Sequence, residues 1–286
     1  MRIGHRIAGI ATAFWLLECA SVLAQQRPAS GERFSVGGRQ LWLSCEGTGH
    51  PAVLLEAGHN ETSDTWSEIQ SRVAAFTRVC SYDRAGLGRS EPRSGGQLTE
   101  GRDVIADLHG LLTAADEAAP FVLVGHSLGA AFVRLYAASN PTATAGLVLV
   151  DAAHEREFEA IDQLLTPAQR LAGASMRPLS PEGIDIEGVF ADVRKSRSRL
   201  EVPVVVVSRG RPLQRDEMPG NWSSEQRRLR EEVRKSLQAD LATLSTKGEV
   251  MVAGRSAHFV HRDEPDVVVT AIRKVVDTWR AERARR

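Results

Sequence analysis

Residues 121–136, FVLVGHSLGAAFVRLY, constrain the fold of this chain more than any other stretch. An apolar run leads directly into the pentapeptide Gly125-His126-Ser127-Leu128-Gly129, and helix-forming sequence follows at once. Passing from strand to helix in so few residues demands a sharp, strained turn, and glycines on either side of the serine remove side chains that would collide with neighbouring elements. A serine at such a turn stands at a helix amino terminus, where the backbone N–H of Leu128 can face a developing oxyanion. The competing reading is an ordinary serine helix cap. The G-x-S-x-G pattern recurs by chance, so its weight comes from the strand before it and the helix after it.

The same alternation extends in both directions. Residues 33–36 and 40–45 flank the turn signal Gly37-Gly38 and read as a hairpin. The runs 52–57 (AVLLEA), 77–83, 121–125, 145–151 (AGLVLVD), 202–208 (VPVVVVS) and 249–253 read as further strands, the most apolar of them suited to burial on both faces. Between them, residues 63–76, 98–118, 128–139, 223–245 and 265–280 read as helices. This rhythm predicts an α/β fold, an eight-stranded and mostly parallel sheet with helices on both faces. It breaks once. Residues 152–201 hold no buried-strand candidate and read as a helical cap inserted over the carboxyl edge of the sheet, where such sheets bind ligands. The core then consists of two parts, 25–151 and 202–286. On the charged helix 223–245, Leu229, Val233, Leu237, Leu241 and Leu244 are expected to pack inward, with Arg227, Arg228, Arg230, Glu231 and Glu232 forming a solvated face.

A chain of 286 residues that is 42% hydrophobic can bury one large core. Lys+Arg and Asp+Glu number 36 each, which removes any global electrostatic case for nucleic acid as a partner. Residues 1–24 read as a signal peptide: Arg2 and Arg6 precede the apolar run 7–17, and Val22 and Ala24 offer small residues before a cleavage point. Glu18 interrupts that run and argues against an uncleaved anchor. The expectation is a secreted or periplasmic protein with no stable membrane insertion after cleavage. Cys45 and Cys80 would survive cleavage, either as a disulfide or as two buried small hydrophobes. No phosphate loop or metal-ligand cluster points to a cofactor, and nothing addresses oligomeric state.

Three further segments join the serine turn in resembling the α/β-hydrolases, in particular the serine-nucleophile, esterase- or lipase-like branch with a helical cap. Residues 56–60 (EAGHN), with Trp66 beyond, resemble the oxyanion loop after the third strand. Ala57 stands where many relatives have histidine, and the donor position falls on the backbone N–H of His59, whose side chain is expected to project toward the pocket. Residues 83–90 (DRAGLGRS) resemble the turn after the fourth strand, with Asp83 and Arg84 as scaffold. Residues 256–265 (SAHFVHRDEP) resemble the loop after the eighth strand that carries the general-base histidine, and the gap to Pro265 favours His258 over His261. His126 is expected to line or buttress the serine turn.

The resemblance implies an acyl-enzyme on Ser127, with His258 as general base and the N–H groups of His59 and Leu128 as oxyanion donors. The acid that orients His258 has two candidates: Asp151, at the end of the sixth strand as in some relatives, is favoured, and Asp216, beyond the seventh strand, is the alternative. A serine at the turn argues against the aspartate chemistry of epoxide hydrolases and haloalkane dehalogenases. It favours cleavage of an ester, lactone or thioester in a small-molecule acyl substrate, without a cofactor. Amide or carbon–carbon bond hydrolysis on the same residues, and a catalytically weak small-molecule binding protein, are the alternatives. The family's strand order sets the second strand beside the fourth, which implies a Cys45–Cys80 disulfide.

Overall fold

Gly37 and Gly38 sit at positive φ, 55° and 79°, and close the hairpin between β1 (Gly31–Val36) and β2 (Arg39–Glu46); a Cβ resists that conformation. The computed structural model describes residues 31–175, 182–214 and 222–285, so the expected signal peptide, residues 1–24, and Asp216 lie outside the described residues. The remaining apolar runs form β3 (Ala52–Glu56), β4 (Val79–Tyr82), β5 (Phe121–His126), β6 (Thr144–Val150), β7 (Val204–Arg209) and β8 (Gly248–Ala253). They make one 8-stranded sheet in the order β1-β2-β4-β3-β5-β6-β7-β8. β2 is antiparallel to β1 and β4, and the other pairings are parallel. The β2–β4 register sets Cys45 opposite Cys80, and their sulfurs are bonded.

The connecting helices are α1 (Ser67–Ala74), α2 (Gly101–Ala114), α3 (Gly129–Ser139), α4 (Glu157–Asp162), α5 (Pro167–Ser175), α6 (Ile186–Ser196), α7 (Ser224–Ala242), α8 (Val260–Asp263) and α9 (Pro265–Arg283). Strand side chains alternate between two cores. Leu54, Leu123, Leu147 and Leu149 pack toward α2, α3 and α6. Val53, Leu55, Val122 and Val124 pack toward α1 and α9. β3 to β7 are buried along their whole length, and at about 1.5–3 kcal/mol for each fully buried large aliphatic side chain this two-sided burial dominates the stability of the sheet.

Two helix starts differ from the expectation. Residues 63–76 begin as a 3₁₀ turn, Ser63–Trp66, before α1. α2 starts at Gly101, not residue 98, because Glu100 and Asp103 form a reciprocal capping box that fixes the first turn. Between β6 and β7 the described residues hold only α4, α5 and α6, apart from two isolated bridges, Ile184 with Thr99 and Leu200 with Ser245. α6 buries Val189, Phe190 and Val193 in the core beside α3, so the part of this insertion that faces the carboxyl ends of the strands is α4, which packs against α7. Among the described residues no helix is long and apolar enough to cross a membrane.

Candidate active site

The serine turn is built from close backbone contacts. Ser127 follows β5 at φ 51°, a left-handed conformation rare for a residue with a Cβ. Its N–H donates to Val150 O at 3.1 Å, and its carbonyl accepts from Ala130 N at 3.1 Å and Ala153 N at 3.0 Å. These bonds hold the strained turn. A Cβ on Gly125 would lie 2.7 Å from the Ala130 backbone, and one on Gly129 would lie 2.5 Å from Ala57 O. Both glycines are therefore required by space, as the pentapeptide implied.

Asp151 follows β6 directly, at φ 34°, with its N–H bonded to Val207 O at 2.8 Å. Its Oδ2 lies 2.8 Å from His258 Nδ1 and accepts from Arg209 Nη1 at 2.8 Å. Burial alone would raise the Asp151 carboxyl, but the His258 hydrogen bond and the Arg209 charge outweigh it and hold the group at about 2. The carboxylate is ionised, so His258 Nδ1 carries a proton, and in the neutral ring Nε2 is the free acceptor. The side chain of His258 is 33% exposed. Among the described residues Ser127 Oγ and His258 Nε2 are not joined by a hydrogen bond, yet both line one cleft of about 240 Å³. Such contacts commonly close only when substrate binds.

Behind the cleft, Arg84 is a buried hub. Its guanidinium donates to Ala57 O and Gly58 O, each at 2.7 Å, and to the carboxylates of Glu56 and Glu182. Glu182 Oε1 in turn accepts from Asn60 N at 3.0 Å. The loop after β3 is thus fixed from below by Arg84, a residue expected as scaffold for its own turn, residues 83–90. Among the described residues the backbone N–H groups of His59 and Leu128 donate no hydrogen bond. The His59 side chain was expected to project toward the pocket. The grip of Arg84 and Glu182 on residues 57–60 leaves it half-buried, with Nε2 buried and unpartnered. Burial lowers its pKa against the pull of Glu182, with the Arg84 charge pushing the same way.

His126 buttresses the base. Its Nδ1 lies 2.6 Å from Glu61 Oε2 and its Nε2 donates to the carbonyl of His258 at 3.0 Å. His261, beside it, bonds Thr65 Oγ1 at 2.7 Å, and burial pushes its imidazole down to about 2. Glu61, His126 and His261 present ligand atoms within 4.8 Å of one another, but both His126 nitrogens and the Glu61 carboxylate are committed to these hydrogen bonds. The sequence reading did not single out Glu61. It lies five residues after Glu56 on the same loop, and no periodicity marks it.

The solvated-face expectation for α7 is overturned at Arg230 and Glu231. Arg230 and Glu231 are half-buried and Arg234 is buried, because positions 230, 234, 237 and 238 recur at helical spacing along the face turned to the cleft. Arg234 donates to Ser208 Oγ at 2.7 Å and Arg209 O at 3.1 Å, while Glu231 accepts from Arg209 at 2.8 Å and Arg234 at 2.9 Å. Arg209 and Arg234 were also missed. The available signals were an arginine ending an otherwise apolar strand and the i, i+4 pair Arg230/Arg234 among leucines.

A family model described as serine aminopeptidase, S33, matches residues 49–212, more than half of the chain. An uncharacterised protein of Bacillus subtilis (strain 168), YqjL, is 27% identical over 242 residues, covering 82% of this chain and 85% of that protein. The N-formylmaleamate deformylase of Pseudomonas putida is 33% identical over 123 residues, 43% of this chain and 45% of that enzyme. The crystal structure of the enol-lactonase from Burkholderia xenovorans LB400 superposes with a TM-score of 0.62 at 17% identity, covering 86% of this chain and 99% of that one, a likeness of fold.

Proposed function

The chain belongs to the α/β-hydrolase family, and on that premise we propose that it is an exported serine hydrolase that cleaves a small carboxylic ester, lactone or thioester through an acyl-enzyme on Ser127. The observation that carries the reading is the 2.8 Å hydrogen bond between Asp151 and His258, at the cleft shared with a serine on a strained strand-to-helix turn.

In this reading His258 Nε2 takes the proton of Ser127 Oγ as the oxygen attacks the acyl carbon. The negative charge that develops on the carbonyl oxygen falls to the N–H groups of His59 and Leu128, each such donor being worth about 3–4 kcal/mol of transition-state stabilisation. Asp151, ionised and buried, holds the ring and stabilises the imidazolium that forms. His258 then returns the proton to the departing alkoxide or thiolate. A water molecule repeats the sequence on the acyl-enzyme, releasing the acid and free Ser127. A cleft of about 240 Å³ lies below the usual range for drug-sized ligands, which favours a small acyl substrate. Export is supported by the basic, apolar and small-residue order of residues 1–24 and by the Cys45–Cys80 bond, since disulfides persist in oxidising compartments. A second reading, amide-type cleavage on the same residues, is favoured by the similarity to a protein named as a deformylase.

Initial rates on 4-nitrophenyl esters from acetate to hexanoate test the proposal. Ser127→Ala is expected to remove turnover of every ester, and Asp151→Asn to lower kcat by a factor on the order of 10⁴ through loss of the correct histidine tautomer. Turnover of either variant at the wild-type rate contradicts the assignment.

A further inference from the structure

Among the described residues, one cation of the cleft wall has no hydrogen-bonded partner for its side chain. The cleft walls carry Arg209, Arg230 and Arg234. Two of the three are committed: Arg209 is bonded to Asp151 and Glu231, and Arg234 to Glu231, Ser208 and the Arg209 carbonyl. The Arg230 side chain makes no hydrogen bond to any described residue. Its side chain is 18% exposed, its Nη1 is buried without an acceptor, and the nearest carboxylate oxygen, of Glu231, lies 3.7 Å away and already serves Arg209.

A guanidinium taken out of water without hydrogen bonds is costly, and buried charges are ordinarily paired. Burial, then repulsion from Arg209, lowers the Arg230 pKa despite the opposing pull of Glu157, Glu231 and Asp151. Among the described residues Glu157 on α4 is the one acid of the cleft wall besides Asp151, and it is not within ion-pair distance of Arg230. Burial raises its pKa against the opposing charge of Arg230. The cation therefore faces the same small space as Ser127 and His258 with its donors unspent.

We infer that Arg230 is the docking site for a carboxylate carried by the substrate, so that the preferred substrate is an anionic acyl compound, an ester or lactone bearing a second, free carboxylate. The planar fork of donors suits a carboxylate, which can accept two parallel hydrogen bonds. This rests on Ser127 as the acyl acceptor of the cleft, and it adds the chemical class of what is cleaved.

The test uses two ester pairs of matched length, followed by acid release in a pH-stat. Monomethyl glutarate and methyl pentanoate differ by a carboxylate on the acyl side, and acetoxyacetate and propyl acetate differ by one on the alcohol side. Wild type is expected to show a kcat/KM at least tenfold higher for the charged member of one pair. That ratio is expected to fall to within about twofold of unity in Arg230→Gln and to recover in part in Arg230→Lys, which keeps the charge without the fork. A ratio near or below unity in wild type for both pairs overturns the inference, as does a preference that survives Arg230→Gln. Titration calorimetry of Ser127→Ala with glutarate separates this from the hydrolase reading. If no ester shows Ser127-dependent hydrolysis, glutarate binding lost on adding Arg230→Gln still upholds the carboxylate site, and no binding, or binding indifferent to Arg230, removes it.

Discussion

Asp151 is buried, with a side chain only 2% exposed, and still ionised, which requires the hydrogen bond from His258 and the charge of Arg209. Glu61, paired with His126, and Glu155, bonded to Arg134 and Arg197, are held at about 2 in the same way, their partners outweighing burial. All three are depressed below their unfolded values, so their stabilisation is complete above about pH 4.5 and is lost as pH falls through the folded values near 2. Falls of this size correspond to roughly 2–3.5 kcal/mol per group at most. Urea midpoints between pH 6 and 2.5 are expected to fall steeply below pH 4.5, and Asp151→Asn is expected to flatten that fall; an identical slope in the variant contradicts the electrostatic account. Asp151 was legible as the acid that ends LVLVD. Arg209, whose charge helps keep it ionised, was not, because it reads as the end of a strand.

At the level of elements, the serine turn and the loop after β3 form one unit. Gly129 lies so close to this loop that an added Cβ would sit 2.5 Å from Ala57 O and 2.7 Å from Glu56 O. The backbone there is also gripped by Arg84, so it cannot yield cheaply. Gly129→Ala is expected to cost about 1–3 kcal/mol of stability by overpacking and to lower kcat by on the order of 100-fold if His59 N–H is moved away from the oxyanion. Gly254→Ala, where a Cβ meets nothing within 4 Å, is the control, and equal effects of the two substitutions in urea unfolding and ester turnover contradict the argument. The strands and most helices were legible because apolar runs and helical spacing report burial. The orientation of α7 was not. A helix charged at nine of its 19 positions does not declare which face lies over a cleft formed by distant segments, and only tertiary packing turned Arg230 inward.

The whole molecule is a sheet that is apolar on both faces, with its chemistry gathered at the carboxyl ends of β3, β5, β6, β7 and β8. This arrangement follows from strand order, which brings Ser127 and Asp151 to one cleft with His258, a residue more than 100 positions further along the chain. The same order set Cys45 against Cys80, so the pairing could be expected once the family was recognised and not from cysteine spacing alone. What strand order does not specify is the wall of the cleft, supplied by α4 and α7, and it is there that the proposed carboxylate site lies. The central claim, that Ser127 is the nucleophile, is tested most directly with a fluorophosphonate that labels activated serines. Intact-protein and peptide mass spectrometry should find a single adduct on the peptide containing Ser127, and none in Ser127→Ala. No adduct on the folded wild-type protein, or an adduct on another residue that persists in Ser127→Ala, would contradict it.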